Sequence, residues 1–377
     1  MTASGDPKIL IYYFAFPHYR RSILESLSRQ PGVDIEFISG SSSRGAVDPL
    51  NNSDLPMIET HPTVTFGPLT IDIGILSRCM QRQYDIVIVA PAFSSLTTWA
   101  LLIMRRLFRR QTYLWGDCGH HQGKLRRLLQ EAMNRLCTGL LVYGNSSLRG
   151  ATALGTPPSK VSIVHNAVES NALCSSAQQS KLAFAAIRAK AQRAAQTGEI
   201  ELLFSGRLTA EKQVDVLLDA LSIIQENFVR VRCHILGSGP MAPTLARHKN
   251  HDLVQFHGAV YDSQKKAEIF RQATLVVSPI SMGLLAVDAL RAGLPVLLPD
   301  NPNNGSEVEA LEVGINALKF SPGDPRALAA AVSRWVEIAQ LLDEQAYVEA
   351  RTSALRVWDP AHVADSIVRS VGRGSGS

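Results

Sequence analysis

The sequence predicts an α/β protein made of two doubly wound, parallel-sheet domains. Three observations carry this. The chain has 377 residues, enough for two domains of ordinary size. Both halves alternate short apolar runs with helical stretches, the pattern of a sheet covered by crossover helices. The apolar runs, such as Asp85-Ile86-Val87-Ile88-Val89-Ala90, are continuous rather than alternating, as strands buried on both faces require.

In the first half, strands are expected at 8–14, 34–40, 84–90, 111–116, 138–144 and 161–167, with helices at 19–30, 94–108, 124–136 and 146–153. Residues 1–170 form the first domain on this reading. Residues 171–198 are Ala- and Gln-rich, poor in strand formers, and read as a helical linker. The second domain then spans 199–340. Its strands are expected at 200–204, within 233–240 and within 254–260 up to Gly258; 273–300 reads as strand, loop, helix and strand, and 304–332 as a loop, a helix start and a short strand before a final helix. Helices close the chain at 325–342 and 344–370, and 341–377 forms a C-terminal extension with a flexible tail.

Composition narrows the function classes. Hydrophobic residues make up 46% and aromatics 6%, which describes an aliphatic globular core. No apolar run reaches the roughly 18–20 residues that span a bilayer, and the opening MTASGDPKILIYY lacks a basic, then apolar, leader. The five cysteines are odd in number and form no CxxC pair, so reduced thiols are expected, and no metal site. The expected location is cytoplasmic.

The net charge of +5 is uneven: 17 Lys and Arg face 12 Asp and Glu in residues 1–170, and 21 face 21 in 171–377. The excess concentrates in two helical stretches, 101–111 and 124–136. Either they dock on an anionic membrane surface, adding attachment at the inner face of the cell membrane, or they cover the sheet with arginines in water. The charge is too modest, and aromatic-basic modules too absent, for a nucleic-acid partner.

The chemistry lies at strand ends. In FSGRLTAEK (204–212), an apolar strand runs into Gly206, where backbone can approach a ligand, followed by Arg207 and Lys212, two cations suited to a diphosphate. CHILGSGP (233–240) exits through Gly237 and Gly239. VQFHGAV (254–260) carries His257, Gly258 and Val260. SMGLL (281–285) opens a helix at Gly283, Leu284 and Leu285 whose N–H groups can face phosphate, with Asp288 on that helix. The loop 303–307, which precedes a helix and carries an N-cap-like Ser306, either faces the phosphate or sugar, or merely caps the helix.

In this order, across roughly 200–335 (and more weakly across the N-terminal half), these motifs resemble glycosyltransferase family 4, the retaining GT-B enzymes. The resemblance implies two Rossmann-like domains facing across a cleft, with the last helix crossing back to the first. It implies transfer of a sugar from a nucleotide-diphosphate donor, a UDP- or GDP-sugar, to a hydroxyl of a lipid-linked oligosaccharide or surface-polysaccharide precursor. Neither metal nor cofactor is required. Arg207 and Lys212 would hold the diphosphate, Asp288 the ribose hydroxyls, and the backbone near His257 the base. The family's Glu-x7-Glu pattern departs here: eight residues before Asp288 stands Ile280. A transferase acting on a soluble metabolite, or a nucleotide-sugar binder without turnover, are the rival readings.

In the first half, LWGDCGHHQGK (114–124) places Asp117, His120 and His121 after a strand, similar to the family loop that bears a catalytic-centre His or Asp. The sequence does not choose between the two histidines. FAFPHYRRS (14–22) replaces the Gly-rich loop that family members often have after the first strand. There Arg20 either offers positive charge to an acceptor or phosphate, or simply begins a helix.

Overall fold

The computed structural model describes residues 6–41, 50, 55–119, 123–168 and 176–372. The chain divides into two units, Met1–Glu169 with Pro360–Ser377, and Ser170–Asp359.

The first unit runs β1 (Lys8–Tyr13), α1 (Arg21–Ser28), β2 (Asp34–Gly40), β3 (Ile58–His61), β4 (Thr63–Phe66), β5 (Leu69–Asp72), α2 (Ile75–Cys79), β6 (Ile86–Val89), α3 (Leu96–Leu107), β7 (Gln111–Trp115), α4 (Lys124–Leu136), β8 (Gly139–Val142), α5 (Asn145–Ala153) and β9 (Val161–Ile163). Seven strands form one parallel sheet in the order β3-β2-β1-β6-β7-β8-β9, and β4 pairs with β5 as an antiparallel hairpin. Successive residues of β1 feed opposite faces. Ile9, Ile11 and Tyr13 join one buried cluster, while Leu10 and Tyr12 join the other. That is why the strand reads as an unbroken apolar run.

The second unit begins with α6 (Ala177–Thr197) and β10 (Glu199–Ser205). It continues through α7 (Val214–Ile224), β11 (Arg230–Leu236), α8 (Ala242–Leu245), β12 (Val254–Gly258), α9 (Ser263–Gln272) and β13 (Leu275–Val277). It closes with α10 (Leu285–Ala292), β14 (Val296–Pro299), β15 (Ala317–Phe320), α11 (Pro325–Ile338) and α12 (Glu344–Val357). Its six strands are parallel in the order β12-β11-β10-β13-β14-β15. Strand order reverses between β10 and β13, the switch point beyond which doubly wound sheets bind ligands. The fold class expected from the sequence, α/β with two Rossmann-like sheets, is the fold observed.

Three boundaries differ from the sequence reading. Residues 171–198 do not stand apart as a linker: α6 belongs to the second unit and packs on α11 and α12. Ser176 caps it, accepting from Gln179 N at 3.2 Å, and Gly198 ends it at φ 68°. The helix expected over 344–370 is two helices, because Pro360 denies its predecessor helical geometry. Of these, α12 stays with the second unit, while α13 (Pro360–Gly372) belongs to the first and packs on α1. The segment 58–72, to which the sequence assigns no element, forms β3 and the β4–β5 hairpin.

Candidate functional site

The second unit gathers its chemistry at the switch point. Beyond β10, Gly206 N donates to Leu236 O (2.9 Å) and Leu208 N to Ser238 O (2.9 Å), so the loops leaving β10 and β11 zip together. This contact explains the glycines. A Cβ on Gly237 (φ 145°) would lie 1.8 Å from Gly206 O, and one on Gly239 (φ 154°) 2.5 Å from Leu208 O. The room that Gly237 and Gly239 make is filled by the chain's own backbone, where the sequence reading had given it to a ligand. Gly258 (φ 67°) accepts from Gly237 N at 2.7 Å and extends the contact to β12.

Lys212 ends a short 3-10 turn, Ala210–Lys212, and points back across the switch point. Its Nζ donates to both O and Oγ of Ser281, each at 3.3 Å, in the loop after β13. Burial holds its pKa below the usual lysine range, and the charge of nearby Arg207 lowers it further, against the pull of Glu211 and Glu307. Arg207 is exposed. Among the described residues neither cation forms an ion pair. Two coupled cations in a partly desolvated place favour an anion between them.

The facing loop is built by side chains. Asn301 Nδ2 donates to Ile280 O (2.6 Å), Asn304 Oδ1 accepts from Met282 N (2.8 Å), and Asn304 Nδ2 donates to Pro299 O (2.8 Å). Gly305 N closes onto Met282 O at 2.8 Å. These bonds fix Gly283 and Leu284 ahead of α10, where Leu285 is the first helical residue. Beside them lies the carboxylate of Glu307, only 7% exposed. A Cβ on Gly305 would meet Glu307 Oε2 at 2.3 Å, so Gly305 makes room for it, whereas one on Gly283 would lie at an ordinary contact distance of 3.8 Å. Glu307 belongs to the loop 303–307, for which the sequence leaves open a place at the phosphate or sugar or a helix cap only; its carboxylate lies against Gly283 and Gly305.

Asp288 sits on the first turn of α10, mostly buried, but its Oδ2 accepts from Lys266 Nζ of α9 at 2.7 Å. A ribose would share that carboxylate with the lysine. His257 stacks on His234 of β11 (centroids 5.3 Å apart), its Nε2 3.0 Å from His234 Nδ1; His234 Nε2 lies 3.0 Å from Glu201 Oε2. His257 is thus part of a polar chain across the sheet, and its pKa is held below the usual value by burial and then by the neighbouring His234 and Lys265. Val260 is half-buried in the loop beyond β12.

In the first unit, Asp117 Oδ1 accepts from Gly119 N (3.3 Å) and from Ser147 Oγ (3.1 Å), tying the loop after β7 to α5. A Cβ on Gly119 would strike the backbone of Ser147, Gly150 and Ala151, at 2.7–2.8 Å, so the loop lies flat on the helix. His120 and His121 lie outside the described residues.

Comparison with known proteins now bears on this geometry. Residues 199–337 match the family model described as Glycosyl transferases group 1. Arg207, Lys212, Gly283, Asp288 and Glu307 all fall within the matched residues. Among sequence relatives, D-inositol 3-phosphate glycosyltransferase of Streptomyces griseus is 29% identical over 175 residues, covering 42% of this chain and 36% of that protein. Phosphatidyl-myo-inositol mannosyltransferase of Mycobacterium tuberculosis is 31% identical over 179 residues, covering 45% of this chain and 46% of that one. The chain therefore matches less than half the length of either relative. Among solved structures, Anabaena Alr3699/HepE in complex with UDP superposes with a TM-score of 0.68 at 16% identity, over 97% of this chain and 100% of that one. That likeness extends the GT-B fold across both units.

Proposed function

We propose that this chain is a retaining glycosyltransferase that takes a nucleoside diphosphate sugar at the second unit and passes the sugar to a hydroxyl. The observation that carries the reading is Lys212, bonded to Ser281 across the switch point and coupled to Arg207. Both cations would lie along the diphosphate and stabilise its negative charge as the sugar C1–oxygen bond breaks. The new bond forms between C1 and the acceptor oxygen, whose proton passes to the departing diphosphate oxygen on the same face. No protein nucleophile and no metal enters this scheme; the protein positions the partners. We assign Glu307 to the sugar hydroxyls, Asp288 to the ribose, and the backbone near Gly258 to the base.

The acceptor we propose is lipid-linked, on a membrane-attached, cytoplasmic enzyme. The first unit supports it. Helices α3 and α4 pack together and leave Ile103, Leu107, Phe108, Leu125 and Leu128 exposed, among the exposed basic residues Arg106, Arg109, Lys124, Arg126 and Arg127. Leucine and phenylalanine beside basic residues is the surface that enters an anionic lipid interface. Not every arginine of this segment serves it: Arg105 and Arg110 turn inward to backbone carbonyls. Among the described residues no helix is long and apolar enough to cross a membrane.

Thermal-shift titration with UDP, GDP, ADP and their sugars names the donor, and NMR of the product's anomeric proton then reads retention. Stabilisation by one diphosphate and its sugar is expected; no shift with any nucleotide would overturn the assignment. A second reading, a binder without turnover, is favoured by Ile280 in place of a carboxylate, and it predicts nucleotide binding with no transfer to any acceptor. Co-sedimentation with anionic vesicles tests the membrane face. Binding is expected at low salt and should weaken when Leu125 and Leu128 become glutamates.

A further inference from the structure

The C-terminal edge of the first sheet holds a cation that no described residue neutralises. Arg20, the last residue of the 3-10 turn His18–Arg20 after β1, is 1% exposed. Its guanidinium carbon lies 3.9 Å from the ring centre of Trp115, 4.8 Å from Tyr13 and 5.6 Å from Tyr143. These three residues end, or directly follow, β7, β1 and β8. The box is rigid: Tyr13 OH donates to Trp115 O at 2.6 Å, and its ring stacks on Phe16 at 4.9 Å. Arg20 Nη2 donates to the Tyr143 hydroxyl. Nε and Nη1 are buried and find no acceptor among the described residues, and no described carboxylate comes within ion-pairing distance.

A buried, unpaired charge is expensive, by several kcal/mol even after relaxation. Aromatic faces return about 2 kcal/mol or somewhat more when desolvated, and they accept no hydrogen bond from the guanidinium edge. The remaining cost, two idle donors, and a place at the strand ends of a parallel sheet all call for the same missing partner. We propose that Arg20, walled by Trp115, Tyr13 and Tyr143, binds the oxyanion of a small ligand, a phosphate or carboxylate group, in the first unit. The site stands whether or not the second unit transfers a sugar.

The test uses the full chain labelled with 5-fluorotryptophan, with the Trp115 resonance assigned by Trp115→Phe. Inorganic phosphate and acetate are titrated separately, in the wild type and in Lys212→Ala, which removes phosphate binding at the second unit. The Trp115 resonance should shift saturably with at least one anion, equally in both proteins. Arg20→Lys keeps the charge without the planar fork and should weaken binding about tenfold; Arg20→Met should abolish the shift. Soluble inositol 1-phosphate and phosphatidylinositol vesicles then separate a free carrier of the oxyanion from a lipid headgroup. A Trp115 resonance that no anion moves, or that moves as readily in Arg20→Met, would overturn the proposal. The donor reading would survive that result as long as nucleotides still raise the melting temperature.

Discussion

The two edges of the first sheet each bury an arginine, and they treat it in opposite ways. At the N-terminal edge, Arg105 of α3 is fully buried and fully used. Its Nε donates to Thr112 Oγ1 (3.0 Å), Nη1 to Cys79 O (2.8 Å), and Nη2 to Asp85 O (3.2 Å) and Gln111 O (2.8 Å). It ties together the strand starts that precede β6 and β7. At the C-terminal edge, Arg20 donates to Tyr143 and meets aromatic rings, and no described residue accepts from its Nε or Nη1. Burial alone does not distinguish a structural cation from a binding one; satisfaction of its donors does. The second unit repeats the contrast. Lys190 of α6 donates to Arg271 O (2.7 Å) and Ala273 O (2.5 Å), fastening the end of α9, whereas Lys212 and Arg207 stay near each other and form no ion pair among the described residues.

The sharpest way to break this comparison is to remove each buried guanidinium. Arg105→Met should cost about 4 kcal/mol, since it orphans several buried carbonyls at once. Arg20→Met should leave ligand-free stability unchanged or higher, because a hydrophobic side chain replaces an unsatisfied charge. Urea unfolding of both variants reads the difference, and equal losses would show that the two edges do not differ. Next in size is Lys212→Ala, which should lower turnover about 10²-fold while leaving the urea midpoint within experimental error of the wild type. Normal turnover would mean that the diphosphate lies elsewhere. Glu307→Gln keeps the shape and removes the charge. It should lower kcat about tenfold with little change in nucleotide affinity, because the sugar and not the nucleotide meets it.

The sequence shows the scaffold more readily than the site, for a physical reason. Strands β1, β6, β8 and β10 are covered on both faces, so each is an apolar run that can be read locally. Segment 58–72 was passed over because its strands are mostly exposed and interrupted by Pro62 and Pro68. Lys212 and Arg207 were legible because six residues contain them. Glu307 beside Gly283, Lys266 on Asp288, and the asparagines that brace the loop after β13 join segments about twenty residues apart, and no local pattern announces such contacts. Gly237 and Gly239 were recognised as special, but their reason lies in the loop after β10, which only the folded chain brings against them. In the basic stretch 101–111 the sequence does not separate Arg105, which is buried, from Arg106 and Arg109, which are exposed.

The smallest expected effect tests the polar chain across the second sheet. His257 has its pKa lowered from about 6.5, first by burial and then by His234 and Lys265. The unfolded chain therefore binds more protons than the folded one as pH falls below about 6.5. Stability contributed here is whole above that pH and is lost as pH drops toward the folded-state pKa. Because His257 is only partly buried, solvent screens the effect and the loss is modest. Urea midpoints of the wild type at about pH 7.5 and about pH 5.5 should differ, with the lower value in acid. In His257→Gln, which keeps a polar partner for His234 but does not titrate, that difference should shrink. If His257→Gln fell as steeply as the wild type, the acid sensitivity would belong to another group, and the chain from Glu201 through His234 to His257 would be satisfied by the protein in every protonation state, as Arg105 is.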